Sequence, residues 1–152
     1  MKHIKQIIAY TDGSLRREKG GIKCGYGVYY EGDILPRISR PFTRAPITNN
    51  RAELYAVYRA IRVAAKNVTF DRITIFCDSQ LTVNSLTSWI DRWRKNGWKT
   101  ANGKTVKNQD LIKAVYALMC EHDVVLKWVR AHVGTEGNEI ADELANKGAS
   151  KS

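Results

Sequence analysis

Four acidic side chains stand where secondary-structure elements are expected to begin or end. Asp12 and Asp78 each follow a short apolar run, while Glu53 and Asp142 lie in the first turns of two expected helices. Carboxylate oxygens are the ligands that Mg²⁺ prefers in proteins. Two such ions about 4 Å apart can hold a phosphodiester, one activating water and the other stabilising the leaving oxygen. The four positions therefore predict hydrolysis of a phosphodiester bond.

Each of the four residues also has an ordinary structural interpretation. Asp12 precedes Gly13, and Asp-Gly is a common turn dipeptide because Gly accepts positive φ. Asp78 could cap a helix, and Glu53 and Asp142 could be solvated acids favoured by the helix dipole. Taken together, four carboxylates at element ends of a basic chain favour a metal site. If the strands before Asp12 and Asp78 are neighbours, the two carboxylates converge, and such a pair requires a shared proton or a cation.

The hydrophobic pattern predicts the elements that must position these residues. Strands are expected at about 4–12, 24–31, 33–43, 72–77 and 124–130. Gly32-Asp33 predicts a hairpin turn, and Pro36 and Pro41 make the third strand an edge strand. Helices are expected behind the caps Thr48-Asn49-Asn50, at about 80–90 behind Asp78-Ser79, at 109–121, and at 139–147 behind the cap Asn138. We therefore expect an α/β fold, a five-stranded mixed sheet with helices on its faces.

The composition narrows the class of protein. The 152 residues fit one domain, taken as residues 1–152, and contain no apolar run near the ~20 residues of a membrane span. Cys24, Cys77 and Cys120 are odd in number and widely spaced, which argues against a disulfide framework or a zinc site. A formal charge of +10 favours a polyanionic partner such as nucleic acid. We expect a soluble, intracellular and cytoplasmic protein without membrane association.

A basic segment at about 89–113 carries seven Lys or Arg residues against two Asp residues. Trp89, Trp93 and Trp98 are interleaved with these charges, a combination that suits contact with a nucleic-acid backbone. The alternative is a solvated basic helix whose tryptophans fold inward. Trp89 and Trp93 lie four residues apart and can pack together, so the two interpretations are compatible.

The sequence resembles the type 1 enzymes of the ribonuclease H family over nearly its whole length. The supporting segments, in the family's order, are Thr11-Asp12-Gly13-Ser14, Thr48-Asn49-Asn50-Arg51-Ala52-Glu53-Leu54, Asp78-Ser79-Gln80, residues 93–100, His132-Val133-Gly134, and residues 137–145. The resemblance implies a sheet of order 3-2-1-4-5 and a metal-binding catalytic set of Asp12, Glu53, Asp78 and Asp142. It also implies two Mg²⁺ ions, with Mn²⁺ as a substitute. The implied substrate is the RNA strand of an RNA–DNA hybrid, cut to leave 5′-phosphate and 3′-hydroxyl ends.

The resemblance also implies roles for residues outside the carboxylates. His132 matches the family's mobile active-site histidine, which assists proton transfer or product release. Independently, it lies in a Gly-bearing loop, and an ordinary pKa of ~6.5 lets it exchange protons near neutrality. Expected minor-groove contacts are Asn49, Asn50 and Gln80, expected contacts to a DNA phosphate are Thr48 and Asn108, and expected contacts from the basic segment are Trp93, Lys95, Trp98 and Lys99.

Two other functions are considered alongside this one. A non-catalytic nucleic-acid-binding module would keep the fold and the basic surface, but all four carboxylates are present here. An integrase or transposase of the same superfamily would carry out strand transfer, and the carboxylate order and the Trp-rich segment fit it poorly. A charged loop is expected at 15–23, in place of the loop common in bacterial relatives, and no extra N-terminal hybrid-binding domain is expected. A monomer is the expected state.

Overall fold

The computed structural model describes residues 1–131 and 134–152. Five strands form one mixed sheet of order β3-β2-β1-β4-β5, as predicted. The strands are β1 (His3–Glu18), β2 (Gly21–Tyr30), β3 (Ile38–Pro41), β4 (Thr69–Cys77) and β5 (Val124–Trp128). The helices are α1 (Asn49–Asn67), α2 (Gln80–Asn84), α3 (Ile90–Asn96), α4 (Gln109–Glu121) and α5 (Glu136–Ser150), with a π-helical turn (Ser85–Trp89) joining α2 to α3. The α/β fold class is thus confirmed.

Strand β1 is longer than predicted, and this changes the setting of Asp12. Its parallel pairing with β4 ends at Thr11 opposite Cys77, yet its antiparallel pairing with β2 continues to Glu18 opposite Gly21. The prediction that the chain turns at Asp12-Gly13 is therefore wrong. The predicted loop at 15–23 is also wrong, because the residues beyond Asp12 form the two arms of a hairpin with its turn at Lys19-Gly20.

Helices cover the two faces of the sheet. α1 packs on β1, β2 and β4 with α4 against it, while α5 packs on the opposite face over β1, β2 and β3. Alternating residues of β1 and β4, such as Ile7 and Ile73, are fully buried in a core that includes Val57 and Ile61 of α1. The first turns of α1 and α5 therefore lie on opposite faces of the sheet, near the point where the pairing of β1 with β4 ends.

Several predicted boundaries differ from the observed ones. Helix α5 begins at Glu136 behind Thr135, so Asn138 lies inside the first turn and is not the cap. The third strand is confined to Ile38–Pro41 at the sheet edge, and a 3₁₀ turn at Glu31–Asp33 replaces the simple hairpin. The helix expected at 80–90 continues through the π turn to Asn96, where Gly97 at φ 77° ends it. Helix α4 has the predicted bounds. Across the part of the chain that the structure describes, no helix is long and apolar enough to cross a membrane.

Candidate active site

Asp12 lies on β1 one residue beyond the end of its pairing with β4, with 4% of its surface exposed. The gap that opens there between β1 and β4 leaves room for side chains from other elements. The backbone N–H of Gly13 donates to Asp12 Oδ1 at 2.9 Å and to Glu53 Oε1 at 2.8 Å. One amide therefore holds two carboxylates from different elements.

Glu53 reaches this point from the first turns of α1. The Thr48 hydroxyl caps the helix by accepting from the N–H of Arg51 at 3.2 Å, as expected for a threonine before a helix. A Cβ at position 13 would lie only 2.8 Å from the Glu53 nitrogen, so glycine is what allows α1 to approach β1 so closely. Glu53 is 3% exposed and faces the sheet, rather than being a solvated first-turn acid.

Asp78 follows the last residue of β4 and is half-buried. The adjacent Ser79, rather than Asp78, caps α2 through its hydroxyl. Two residues that sequence reasoning missed hold Asp78. The Asn138 amide of α5 donates to Asp78 Oδ2 at 3.2 Å, and the Trp128 indole N–H donates to the Asp78 carbonyl at 3.2 Å. Both come from elements more than 45 residues away, so no local sequence signal could identify them.

Carboxylate oxygens of Asp12, Glu53 and Asp78 lie within 4.8 Å of one another. Burial raises the pKa of Asp12, and the negative charges of Glu53 and Asp78 raise it further. Burial also raises the pKa of Glu53, with the charge of Asp78 acting in the same direction. Such a set requires retained protons or a cation, and three oxygen donors without sulfur or nitrogen suit a hard divalent ion such as Mg²⁺. The donor chemistry thus fits the metal that the resemblance implies.

Asp142 of α5 lies beside this cluster, but it is not one of the three residues whose oxygens lie within 4.8 Å of one another. It is half-buried, and after burial and the charges of Glu53 and Asp78, its side chain also raises the pKa of Asp12. The approach of α5 depends on Gly27, which pairs with Asp12 across the sheet. A Cβ at Gly27 would lie 2.6 Å from the Ala145 nitrogen and 2.7 Å from the Ala141 carbonyl oxygen. Glycine at this position therefore lets α5 lie directly over β2, next to the strand that carries Asp12.

Cys77 is a buried thiol in contact with the cluster. Its Sγ lies 3.8 Å from Glu53 Oε2 and 3.4 Å from the N–H of Ser79, which donates to it. Burial raises the pKa of this thiol well above its ordinary value, with the charge of Glu53 acting in the same direction. Cys77 is therefore a neutral hydrogen-bonding partner of Glu53 rather than a thiolate ligand.

The expected substrate contacts are distributed along one side of this site. Thr48, Asn49 and Asn50 are exposed at the start of α1, and Gln80 is exposed at the start of α2. Asn50 and Asn108 line a cavity of about 350 Å³ together with Trp89 and Trp93. Thr48 and Asn108 line a second cavity of about 570 Å³, which Asn50 also lines.

The three tryptophans of the basic segment pack in a row. Ring centroids lie 5.9 Å apart for Trp89 and Trp93 and 6.2 Å apart for Trp93 and Trp98, and Lys113 Nζ lies 4.7 Å from the centroid of Trp98. Trp93 and Trp98 are half-buried against the core, whereas Lys95 and Lys99 are exposed. The inward packing of Trp93 and Trp98 therefore coexists with an outer surface formed by Trp89 and the charged side chains. His132 lies outside the described residues.

An ion pair that sequence reasoning missed holds the start of α4 onto α1. The Arg51 guanidinium, 4% exposed, donates to both carboxylate oxygens of Asp110 at 2.8 and 2.9 Å. It also lies within 3.5 Å of the Asn108 side-chain oxygen. Arg51 thus fixes Asn108 beside Thr48, which keeps two of the expected phosphate contacts together.

Comparisons with known proteins agree with this arrangement. The sequence model of the RNase H family matches residues 4–150. A ribonuclease H of Schizosaccharomyces pombe is 43% identical over 145 residues, which are 95% of this chain and 53% of that protein. Ribonuclease HI of Haemophilus influenzae is 40% identical over 145 residues, 95% of this chain and 90% of the relative. The crystal structure of LC9-RNase H1, a type 1 RNase H with the type 2 active-site motif, superposes with a TM-score of 0.76 at 29% identity, covering 97% of this chain and 73% of the other.

The fold and the clustered carboxylates define a nuclease of the hydrolase class. The chain belongs to the ribonuclease H family, and its relatives assign it to type 1. It spans about half the length of the Schizosaccharomyces pombe relative and nine tenths of the Haemophilus influenzae one.

Proposed function

We propose that this chain is an endonuclease that hydrolyses the RNA strand of RNA–DNA hybrids and leaves 5′-phosphate and 3′-hydroxyl ends. The observation that carries the proposal is the convergence of oxygens from Asp12, Glu53 and Asp78 within 4.8 Å. Membership of the ribonuclease H family supports the choice of substrate. The retention of Asp142 beside Asp12 completes the carboxylate set that the family uses.

The divalent cations are proposed to be two Mg²⁺ ions, with Mn²⁺ able to replace them. Asp12, Glu53, Asp78 and Asp142 would hold them. When bound, such ions activate water and stabilise the leaving oxygen of a phosphodiester. The chain itself keeps the ligands in place, since the Gly13 amide fixes Asp12 and Glu53 while Asn138 fixes Asp78. His132 is proposed to move a proton or to assist product release.

The substrate is proposed to lie across the start of α1 and the basic segment. Asn49, Asn50 and Gln80 would contact the minor groove, where 2′-hydroxyls mark the RNA strand. Thr48 and Asn108 would hold a phosphate of the DNA strand. Trp93, Lys95, Trp98 and Lys99 would contact its backbone, so that recognition follows the shape of the hybrid more than its sequence.

We further propose that the protein acts as a monomer inside the cell, in the cytoplasm. The domain described here places every proposed catalytic carboxylate on one chain. Cys24, Cys77 and Cys120 are free thiols, which suits a reducing compartment.

A cleavage assay with four nucleic-acid substrates tests the proposed function. Purified protein is incubated with an RNA–DNA hybrid, duplex DNA, double-stranded RNA and single-stranded RNA, each end-labelled, with Mg²⁺ or with EDTA. We expect short RNA fragments from the hybrid alone, and only with Mg²⁺. Absence of hybrid cleavage by folded protein would overturn the proposal, and equal cleavage of duplex DNA would overturn the proposed substrate class.

A further inference from the structure

A chain of hydrogen bonds runs from β1 to Asp142 through Asn146 of α5. The Ser14 hydroxyl donates to Asn146 Oδ1 at 2.6 Å. Arg16 Nη1 donates to the Asn146 backbone carbonyl at 3.2 Å and lies 3.5 Å from the same Oδ1. At the other end of the amide, Asn146 Nδ2 donates to Asp142 Oδ2 at 3.5 Å. Asn146 thus connects the strand that carries Asp12 to the fourth carboxylate.

The chemistry of these neighbours fixes the direction of the Asn146 amide. A guanidinium offers only donors, so the Arg16 side chain is satisfied by the amide oxygen and not by its nitrogen. A flipped amide would place its NH₂ group against the guanidinium and its oxygen against the Asp142 carboxylate. Both contacts would be repulsive. With Oδ1 directed to Ser14 and Arg16, the NH₂ group faces Asp142.

Asp142 requires a hydrogen-bonding partner because it lies close to other carboxylates. It is half-buried beside Asp12, outside the three carboxylates whose oxygens lie within 4.8 Å of one another. Neighbouring carboxylates repel, so an unrestrained Asp142 side chain would turn toward solvent. The amide restrains it by a hydrogen bond and adds no positive charge, whereas a lysine at position 146 would compete with a cation for the same oxygens.

We propose that Asn146 is a positioning residue for Asp142, oriented by Ser14 and Arg16, and that it sets how tightly the fourth carboxylate binds the divalent cation. The inference rests on the proposed metal-dependent function. It gives a role to the extended hairpin, because only a continued β1 brings Arg16 onto α5. Hydrogen-bonding partners behind metal ligands commonly change metal affinity or activity by 10- to 100-fold when removed.

Three variants test the proposal with two readouts. Asn146→Leu removes the amide, and Ser14→Ala removes the partner that orients it. Lys147→Ala is the control on the same helix, since it removes the exposed ion pair of Lys147 with Glu143 at 3.1 Å and leaves the bonds of Ser14, Arg16 and Asn146 in place. The readouts are the Mg²⁺ concentration for half-maximal hybrid cleavage and the rise in melting temperature that Mg²⁺ produces in the absence of substrate.

We expect Asn146→Leu to raise the half-maximal Mg²⁺ concentration about tenfold, to leave KM for the hybrid unchanged and to reduce the Mg²⁺-induced rise in melting temperature. Ser14→Ala should have a smaller effect, and no further effect when combined with Asn146→Leu, because it acts through the amide. Lys147→Ala should keep the wild-type Mg²⁺ dependence.

Two results would overturn the proposal. One is an unchanged Mg²⁺ dependence in an active Asn146→Leu protein. The other is a melting temperature of Asn146→Leu that is lower than the wild-type value by the same amount with and without Mg²⁺. That result would assign Asn146 a purely structural role. If the wild-type chain cleaves no hybrid but its Mg²⁺-induced stabilisation still depends on Asn146, the proposed function fails and the positioning role stands.

Discussion

The backbone N–H of Gly13 lies 2.8 Å from Glu53 Oε1, and this contact joins β1 to α1 at the centre of the carboxylate cluster. Residue 13 can serve in this way only without a side chain, because a Cβ would meet the backbone of residue 53 at 2.8 Å. The same amide also holds Asp12. The geometry of two proposed metal ligands therefore depends on one peptide group.

Gly13→Ala should destabilise the protein by about 1–3 kcal/mol, because the added methyl group forces α1 away from β1. The free energy of unfolding from urea titration measures this effect. Gly20→Ala is the matched control, since no heavy atom lies within 4 Å of a Cβ at that hairpin turn. Equal unfolding free energies for the two variants would contradict the proposed close contact.

Asp78→Asn should lower kcat for hybrid cleavage at least about 100-fold, since it removes a charge from the proposed metal ligands. The folded state should persist, because the replacement keeps the size of the side chain and leaves the Trp128 bond to the backbone carbonyl of residue 78 intact. Cleavage rates measure the loss of activity, and circular dichroism measures whether the variant is folded. A variant with the wild-type rate would exclude Asp78 as a metal ligand.

The stability of the metal-free protein should fall as pH rises. The pKa values of Asp12 and Glu53 are raised in the folded state, chiefly by burial, so the folded chain retains protons that the unfolded chain releases above about pH 4. The free energy of unfolding therefore decreases from about pH 4 upward, until these carboxyls ionise in the folded state. Melting temperatures in EDTA across pH 5–9 measure the decline.

Mg²⁺ should oppose this decline, because it binds the ionised carboxylates of the folded state. The stabilisation by Mg²⁺ should consequently increase with pH. Asp12→Asn should weaken both the pH dependence and the response to Mg²⁺ by removing one of the repelling charges. A pH-independent melting temperature in EDTA would contradict the close approach of Asp12 and Glu53.

Asp110→Ala should cost about 2 kcal/mol of stability, because it leaves the buried Arg51 guanidinium without its anionic partner. Lys147→Ala removes the solvent-exposed pair with Glu143 and should cost less than Asp110→Ala, because exposed ion pairs contribute little to stability. Urea titration of both variants makes the comparison. The hydrogen bonds from Arg51 lower the pKa of Asp110 to about 2, so this contribution should persist above pH 4 and disappear as pH falls toward 2.

Lys95→Ala combined with Lys99→Ala should weaken hybrid binding without changing kcat, since both ammonium groups are exposed and distant in sequence from the carboxylates. If each lysine neutralises one phosphate, the slope of log affinity against log salt should decrease by about 2. Lys2→Ala with Lys5→Ala provides a control on another part of the surface. An unchanged salt dependence in the Lys95 and Lys99 double variant would show that the basic segment is not part of the proposed interface.

The sequence predicted the sheet and the meeting of Asp12 with Asp78 because apolar runs and helix caps are local signals. The prediction of a turn at Asp12-Gly13 was wrong, because the same dipeptide occurs in turns and in strands against which a helix packs closely. Sequence reasoning misplaced Asn138 for a related reason, because asparagine favours helix caps and its bond to Asp78 spans 60 residues. The partnership of Arg51 and Asp110, 59 residues apart, likewise exists only in the folded chain.

The π-helical turn at Ser85–Trp89 fixes the direction in which the basic segment projects. Relative to a regular α-helix, a π turn holds about one extra residue, and one residue corresponds to about 100° of rotation. The residues of α3, including Trp93 and Lys95, are rotated by about that angle relative to Gln80. Deleting one residue here would leave the composition of the segment nearly intact and swing its outer charges to another side of the protein. The side of the protein on which these charges lie is therefore set by the number of residues in a single turn, which a comparison of residue types alone would overlook.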